Sequence, residues 1–296
     1  PVGAFSMAMV AGETSGDLLA GLLMQGIKVQ WPHANLYGIG GPRMQSHGFN
    51  ALWPSDKLAV RGYVEVLRHY REIVGIRNQL KTQLLAKPPH VFVGVDAPDF
   101  NLDLERDLKN AGIPTVHFVC PSIWAWRADR IEKIKQSVDH VLCIFPFEVD
   151  LLHAYGIDAT YVGHPMAQVI PMHPDTLKAR HDLNLDPDRP VVALLPGSRE
   201  SEITYLAERF FQTANLLIQQ QPNLQFVLPA MPAMKGRIEN IQNQVGASHV
   251  QILSGQSHAA LAACDVTLIA SGTATLEAAL FKKPMVIAYN MNWLSW

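Results

Sequence analysis

Two turns in the second half of the chain combine small residues with groups suited to binding phosphate. The first, PGSR at 196–199, follows the apolar run 191–195 and precedes an amphipathic helical pattern. The free N–H groups at a helix N-terminus favour anions, and the guanidinium of Arg199 matches phosphate oxygens. An ordinary surface Arg after a strand-to-helix turn would look the same. The pattern therefore makes Ser198 and Arg199 candidate anion-binding residues.

The second turn, ASGTATLE at 270–277, has the same character. Ser271, Gly272 and Thr273 would let the backbone approach a diphosphate closely, and Glu277 on the following helix could accept hydrogen bonds from ribose hydroxyls. An acidic residue near a helix N-terminus is equally explained by the helix dipole. Neither turn matches the G-x-G-x-x-G or Walker A pattern.

Two carboxylates follow strand-like runs in the first half of the chain. Asp96 comes directly after VFVGV, where it could act as a general base, and Glu13 follows the first apolar run. The alternative for Asp96 is a cap of the helix predicted at 100–111, for which Asp99 is the better candidate. A hydroxyl at 14 or 15 could likewise be a simple N-cap.

The segment 58–85 mixes apolar and basic residues in a way typical of a helix lying on an anionic bilayer. A core helix with solvated charges on its far side is the alternative interpretation. The predicted membrane-contacting residues are Val64, Val66, Leu67, Arg68, Tyr70, Arg71, Ile73 and Val74.

These residues lie on a repeated pattern of a short apolar run, a turn and a helical stretch, which predicts parallel sheets covered by helices. The predicted strands are 4–10, 36–39, 91–95, 115–119, 140–144, 160–162, 191–195, 225–229, 250–253, 266–269 and 285–289. Five prolines between the halves indicate a linker. We predict a first domain at 1–165, a linker at 166–190 and a second domain at 191–296, the two domains being doubly wound and facing each other.

Composition narrows the functional classes. The 296 residues carry a net charge of −2, which gives no global basic field for nucleic acid. Cys120, Cys143 and Cys264 are far apart and predict buried, reduced thiols. His117 and His164 lack the spacing of metal ligands. No apolar window approaches the length of a membrane span, which is about 18 residues.

Eight short motifs occur in order along nearly the whole chain, namely AGETSGD, GIGGPRM, VGVDAPDFN, PSIWAWR, PFE, GHPM, LLPGSR and ASGTATLE. Together they resemble those of the lipid-A-disaccharide synthase family. The resemblance implies that the domain at 1–165 faces the acceptor and the membrane and that the domain at 191–296 binds the nucleotide-sugar. The resemblance implies a GT-B fold and an inverting transfer of 2,3-diacylglucosamine from UDP to 2,3-diacylglucosamine 1-phosphate. It also implies a peripheral protein on the cytoplasmic face of the inner membrane, and leaves a homodimer open.

The resemblance implies a role for each matching residue. Asp96 would be the general base, Glu13 a second acid in the site, and Arg199 a diphosphate contact with Glu202 beside it. Ser271, Gly272, Thr273 and Glu277 would hold the nucleotide, with no metal or other cofactor. Because family members continue beyond the YNM sequence, the second domain is expected to be truncated here and the chain weakly active or inactive.

Two alternatives remain at the level of sequence. Another UDP-sugar enzyme of the same fold, such as an epimerase or a peptidoglycan glycosyltransferase, would share the phosphate turns. A non-catalytic two-lobed binding protein would share the two domains.

Overall fold

The computed structural model of the chain describes residues 5–12, 14–58, 63–123 and 130–289, without the side chains of 14, 56 and 63–69. It divides into two compact units, Pro1–Pro165 and Met166–Trp296. The predicted α/β class is confirmed in both units, since strands and helices alternate along each.

The first unit holds a sheet whose described strands are β1 Ser6–Ala11, β2 Asn35–Gly40, β3 Asn50–Pro54, β4 Val91–Val95, β5 Thr115–Phe118, β6 His140–Cys143 and β7 Ala159–Tyr161. Its described helices are α1 Thr14–Gln30, α2 Pro42–Ser46, α3 Tyr63–Ala86, α4 Pro98–Asn110, α5 Arg130–Ser137 and α6 Pro146–Ala154. The strand order is β3-β2-β1-β4-β5-β6-β7, and every pair is parallel.

The second unit begins with the short helices α7 Met166–Val169 and α8 Thr176–Asp182. Its sheet is formed by β8 Val191–Leu195, β9 Gln225–Ala230, β10 Val250–Ser254, β11 Val266–Ala270 and β12 Met285–Ala288. The other helices are α9 Glu200–Gln220, α10 Lys235–Val245, α11 Ser257–Ala263 and α12 Thr273–Leu280. The order is β10-β9-β8-β11-β12, again with parallel pairs.

The first unit buries apolar side chains on both faces of its sheet, as parallel sheets require. Successive residues of β1 point to opposite faces, so Met9 packs with Met24 of α1 while Val10 packs with Leu80 of α3 and Leu104 of α4. Val10 and Leu80 are 0% exposed and Leu104 is 1% exposed. The continuous apolar run of β1 is therefore a consequence of two-sided burial.

In the second unit the periodic helix predicted after the PGSR turn is α9. Its side chains at steps of three and four residues are buried against the sheet, namely Ile203, Leu206, Ala207, Phe210 and Ala214. This packing fixes the N-terminus of α9 beside the end of β8.

The segment predicted as a linker, 166–190, is folded against the second unit. Arg180 on α8 is 7% exposed, and its guanidinium donates to the backbone oxygen of Ala263 (3.0 Å) and to the carboxylate of Asp265 (2.8 Å). The same carboxylate accepts the N–H of Val191 at 2.8 Å. Prolines in this segment separate short helices rather than forming an extended connection.

The three cysteines are free and buried. Burial raises the pKa of the Cys264 thiol to about 11, so the thiol is neutral near pH 7. Of the helices in the described part of the chain, none combines the length and the apolar character needed to cross a bilayer.

Candidate functional site

The first unit places its candidate acids where the strand order reverses. β1 lies between β2 and β4, so the chain leaves β1 to one side and returns to pair β4 on the other. Ligands of open parallel sheets bind at the carboxyl ends of the strands at such a reversal. Asp96 directly follows β4 at this point. Glu13, which comes after β1 in the sequence, lies outside the described residues.

The backbone at Asp96 is unusual. Asp96 and Ala97 both have positive φ values, 53° and 44°. Left-handed conformations cost roughly 1–3 kcal/mol for residues other than glycine, and they persist only where the surroundings fix them. The turn from β4 to α4 is therefore a strained elbow that carries a half-buried carboxylate.

The prediction that Asp99 caps the following helix is wrong. α4 begins at Pro98, its N-cap is Ala97, and Ala97 makes no side-chain cap hydrogen bond. Asp99 lies in the first turn, where its exposed carboxylate accepts from Arg130 Nη2 at 2.7 Å. Proline suits the first helical position because it has no N–H to satisfy there, and this shifts the helix start two residues before the predicted one.

A buried polar cluster lies behind the elbow. Asn101, Glu105 and His117 are each 0% exposed. Asn101 Nδ2 donates to the Asp96 carbonyl oxygen at 2.8 Å and lies 3.4 Å from the Val10 carbonyl oxygen. His117 Nδ1 lies 2.8 Å from Glu105 Oε1. These three polar side chains therefore connect α4 to the ends of β1 and β4 and to β5.

Burial opposes a charge on His117 and by itself lowers its pKa, but Glu105 outweighs this effect. The negative charge and hydrogen bond of Glu105, with a smaller contribution from Asp96, raise the pKa of His117 above its ordinary value. The sequence spacing of His117 bears only on metal binding and gives no sign of its pairing with Glu105.

The side chain of Asp17 connects the AGETSGD motif to the GIGGPRM motif. Its buried carboxylate accepts the backbone N–H groups of Gly41 (2.9 Å), Arg43 (2.9 Å) and Met44 (3.1 Å), at the N-terminus of α2. A Cβ at Gly41 would lie 2.5 Å from Asp17 Oδ2. AGETSGD and GIGGPRM are thus joined by one structural contact.

The second unit has the same kind of strand reversal, between β8 and β11. Both predicted phosphate turns lie there, because PGSR follows β8 and ASGT overlaps the end of β11. β8 and β11 are hydrogen-bonded neighbours with Leu195 opposite Ile269. The structure therefore brings the two turns, which are more than 70 positions apart in sequence, to adjacent strand ends.

At the first of these turns the helix N-terminus already holds a carboxylate. Glu202 Oε2 accepts the N–H groups of Ser198 (2.9 Å) and Arg199 (3.1 Å), and Glu202 Oε1 lies 3.4 Å from Arg199 Nη1. Gly197 has a φ of 116°, and a Cβ there would lie 2.4 Å from Glu202 Oε2. Glu202 therefore caps α9 and shows that this terminus favours an anion.

At the second turn Ser271, Gly272 and Thr273 are exposed. Gly272 has a φ of 152°, and a Cβ there would have no atom within 4 Å. Glu277 Oε2 pairs with His258 Nε2 of α11 at 3.1 Å. The turn thus leaves space beside its backbone, and a partly buried histidine orients the candidate ribose-binding carboxylate.

The helix predicted to contact a membrane is α3, and the structure describes side chains only in its later part. Ile76, Leu80 and Leu84 are buried in the core, and Ile73 packs partly against it. Tyr70 is 57% exposed, Arg71 is exposed and Val74 is half-buried. The C-terminal part of α3 is thus the core helix of the alternative interpretation, while the side chains of Val64, Val66, Leu67 and Arg68 lie outside the described ones.

Solved structures of other proteins share the architecture. The UDP-GlcNAc 2-epimerase of Neisseria meningitidis, solved with UDP-GlcNAc, is 12% identical with a TM-score of 0.63, covering 96% of this chain and 82% of the other. A kitacinnamycin glycosyltransferase is 16% identical with a TM-score of 0.60, covering 97% and 81%. Two parallel-sheet α/β units of this kind define the GT-B class of fold.

Sequence relatives narrow the class to one family. A family model described as lipid-A-disaccharide synthetase matches residues 7–296. The lipid-A-disaccharide synthases of Albidiferax ferrireducens and Verminephrobacter eiseniae are 65% and 59% identical, each over 98% of this chain and 75% of the relative. The chain belongs to the lipid-A-disaccharide synthase family.

Proposed function

We propose that the chain transfers 2,3-diacylglucosamine from UDP to the 6-hydroxyl of 2,3-diacylglucosamine 1-phosphate, giving the β(1→6) disaccharide 1-phosphate and UDP. The high identity to lipid-A-disaccharide synthases supports this reaction over the epimerase and binding-protein alternatives. The observation that carries the site assignment is the placement of Asp96 and of both phosphate turns at the strand reversals of their units.

In the proposed step, Asp96 removes the proton from the acceptor 6-hydroxyl. The hydroxyl oxygen forms a bond to C1 of the donor sugar from the face opposite UDP, and the bond from C1 to the diphosphate oxygen breaks. The configuration at C1 is therefore inverted, the proton remains on the carboxyl group, and UDP leaves with the bonding electron pair. A positioned base of this kind contributes about 10²–10⁴-fold to a rate.

The second unit is proposed to hold the departing UDP. Arg199 lies at the N-terminus of α9 and is suited to the diphosphate, whose negative charge increases as the bond breaks. Ser271, Gly272 and Thr273 would accommodate phosphate at the N-terminus of α12. Glu277, oriented by His258, would accept hydrogen bonds from the ribose hydroxyls.

The direct test is an assay of disaccharide formation by the full-length protein with both lipid substrates. We expect UDP release only when both substrates are present, and a product with a β linkage. Release of UDP without the acceptor, or C2 epimerisation of UDP-GlcNAc, would contradict the proposal. Because guanidinium and helix N-termini are proposed to neutralise the diphosphate, turnover should also persist in excess EDTA.

We also propose that the N-terminal part of α3 contacts anionic membrane, as the mixture of apolar and basic residues at 64–74 predicts. The Val64→Ser, Val66→Ser, Leu67→Ser variant should bind phosphatidylglycerol vesicles at least about tenfold more weakly in a sedimentation assay, because losing the burial of even one such side chain costs about 1.5–3 kcal/mol. Val29→Ser, at a position 78% exposed on α1, is the matched control. Unchanged sedimentation of the triple variant would remove the membrane part. A homodimer stays a prediction.

A further inference from the structure

We propose that Asn101 is a positioning residue that fixes the direction of the Asp96 side chain. It does so as part of a buried polar cluster formed with Glu105 and His117. The inference deepens the proposed function and rests on it, because Asp96 is the base of that reaction.

Both peptide groups flanking the Cα of Asp96 are held by hydrogen bonds. The Asp96 N–H donates to the Phe118 carbonyl oxygen of β5 at 2.9 Å. The Asp96 carbonyl oxygen accepts from Asn101 Nδ2 at 2.8 Å. Because the backbone on either side of a Cα determines the direction of its Cβ, these two bonds fix the direction in which the Asp96 side chain leaves the backbone.

The backbone at Asp96 and Ala97 depends on these hydrogen bonds for its conformation. Asp96 and Ala97 are consecutive left-handed residues at the end of a strand, and such conformations persist only where neighbouring groups fix them. Asn101 is the side chain that bonds to the peptide between them. Without its amide donor, the Asp96 carbonyl group would be able to rotate toward ordinary backbone angles.

The packing of α4 against β4 and β5 holds Asn101 in place. A Cβ at Gly94 would lie 2.9 Å from Asn101 Cβ and 2.2 Å from Glu105 Oε1, so α4 approaches β4 as closely as a glycine allows. One turn further along α4, Glu105 bonds to His117 of β5 at 2.8 Å. Gly94 is directly opposite His117 in the sheet, so both contacts locate the helix on the same strand pair.

Stability alone does not account for the polar cluster. Within the described part of the chain, Asn101 Oδ1, Glu105 Oε2 and His117 Nε2 have no hydrogen-bond partner although they are buried. Such groups are rare in native proteins, and a buried ion pair is often replaceable by apolar residues without loss of stability. A role in fixing the base explains why amide and charged groups occupy this part of the core.

The test is Asn101→Leu, which keeps a similar volume but cannot donate a hydrogen bond. We expect kcat to fall about 10–100-fold, since a displacement of about 1 Å can cost 10²-fold. The KM for the UDP-sugar should be unchanged, because the nucleotide residues lie in the other unit. Asn101→Asp, which also keeps the volume, is the second variant if Asn101→Leu folds poorly, and the same fall in kcat is expected above the pKa of the new carboxyl group.

The control for a general loss of packing is Leu104→Ala. Leu104 lies on the same helix, is 1% exposed and packs in the apolar cluster of α3 and α4. We expect Leu104→Ala to lower the Tm more than Asn101→Leu while leaving kcat near the wild-type value at a temperature well below both transitions.

A double-mutant cycle with Asp96→Ala decides whether Asn101 acts through Asp96. If it does, Asn101→Leu has no further effect on the residual rate of Asp96→Ala. Wild-type kcat in Asn101→Leu, or an equal fall in both backgrounds, would overturn the inference. Wild-type kcat in Asp96→Ala would instead overturn the assignment of the base, so the two failures can be distinguished.

Discussion

Replacement of Asp96 by Ala is expected to lower kcat by about 10²–10⁴-fold, the contribution of a positioned general base. The KM for the UDP-sugar should change little, because the carboxylate is proposed to act on the acceptor hydroxyl. The Tm should fall only slightly: Ala tolerates the left-handed backbone at position 96 less well than Asp does, but the buried hydrogen bond from Asn101 to the backbone oxygen stays in place. The measurement is steady-state disaccharide formation, with UDP affinity measured separately by calorimetry.

Asp99→Ala is the matched control for this experiment. Asp99 lies three residues further along the same turn, and its side chain is 87% exposed. It pairs with Arg130 at 2.7 Å, an exposed type of ion pair that contributes only about 0–1 kcal/mol. Turnover should therefore stay near the wild-type rate. Equal losses in Asp96→Ala and Asp99→Ala would contradict a specific role of Asp96.

The second large effect is expected for Arg199→Ala. Loss of the guanidinium removes a charge that would face the diphosphate as it departs, and loss of one such donor typically costs about 10²–10³-fold in kcat. The affinity for UDP should fall in the same variant. Arg199→Lys should recover only part of the rate, because an ammonium group lacks the planar fork that matches two phosphate oxygens.

Arg237→Ala provides the comparison for Arg199. Arg237 also has an exposed guanidinium near the start of α9, where it pairs with Glu200 and donates to Thr204 Oγ1 at 2.8 Å. It lies away from the PGSR turn in sequence and on a different helix, α10. If Arg237→Ala weakens UDP binding as much as Arg199→Ala, then the effect is one of general surface charge and the assignment of Arg199 is wrong.

Much of the fold could be predicted because parallel strands buried on both faces give continuous apolar runs. The strand predicted at 91–95 coincides with β4, and the strand at 191–195 coincides with β8. β3 was missed because its residues alternate between half-buried and exposed and end at a proline. Proline content also led to the wrong interpretation of 166–190, where the buried contacts of Arg180 depend on residues more than 80 positions away.

Residues of the candidate site could be predicted only where a short sequence pattern around them marks them. Asp96 and Arg199 stand out because each follows an apolar strand within a few residues. Asn101, Glu105 and His117 carried no such signal, since an Asn in a helix and a His in a strand look ordinary until the packing of α4 on β4 and β5 brings them together. Gly94 gave an indication of this packing, because a glycine inside an apolar strand often marks the close approach of a neighbouring element.

Each unit has one strand reversal, and this arrangement affects how the substrates of the enzyme can change in evolution. Asp96 and Arg199, the residues proposed to react with or bind substrate, lie in turns outside two separately packed cores. Under the proposed roles, substitutions in the turns of the first unit can change acceptor binding while the turns of the second unit, which are proposed to bind the nucleotide, stay the same. Changes in the acceptor and retention of the UDP-sugar donor would therefore depend on different units of the chain.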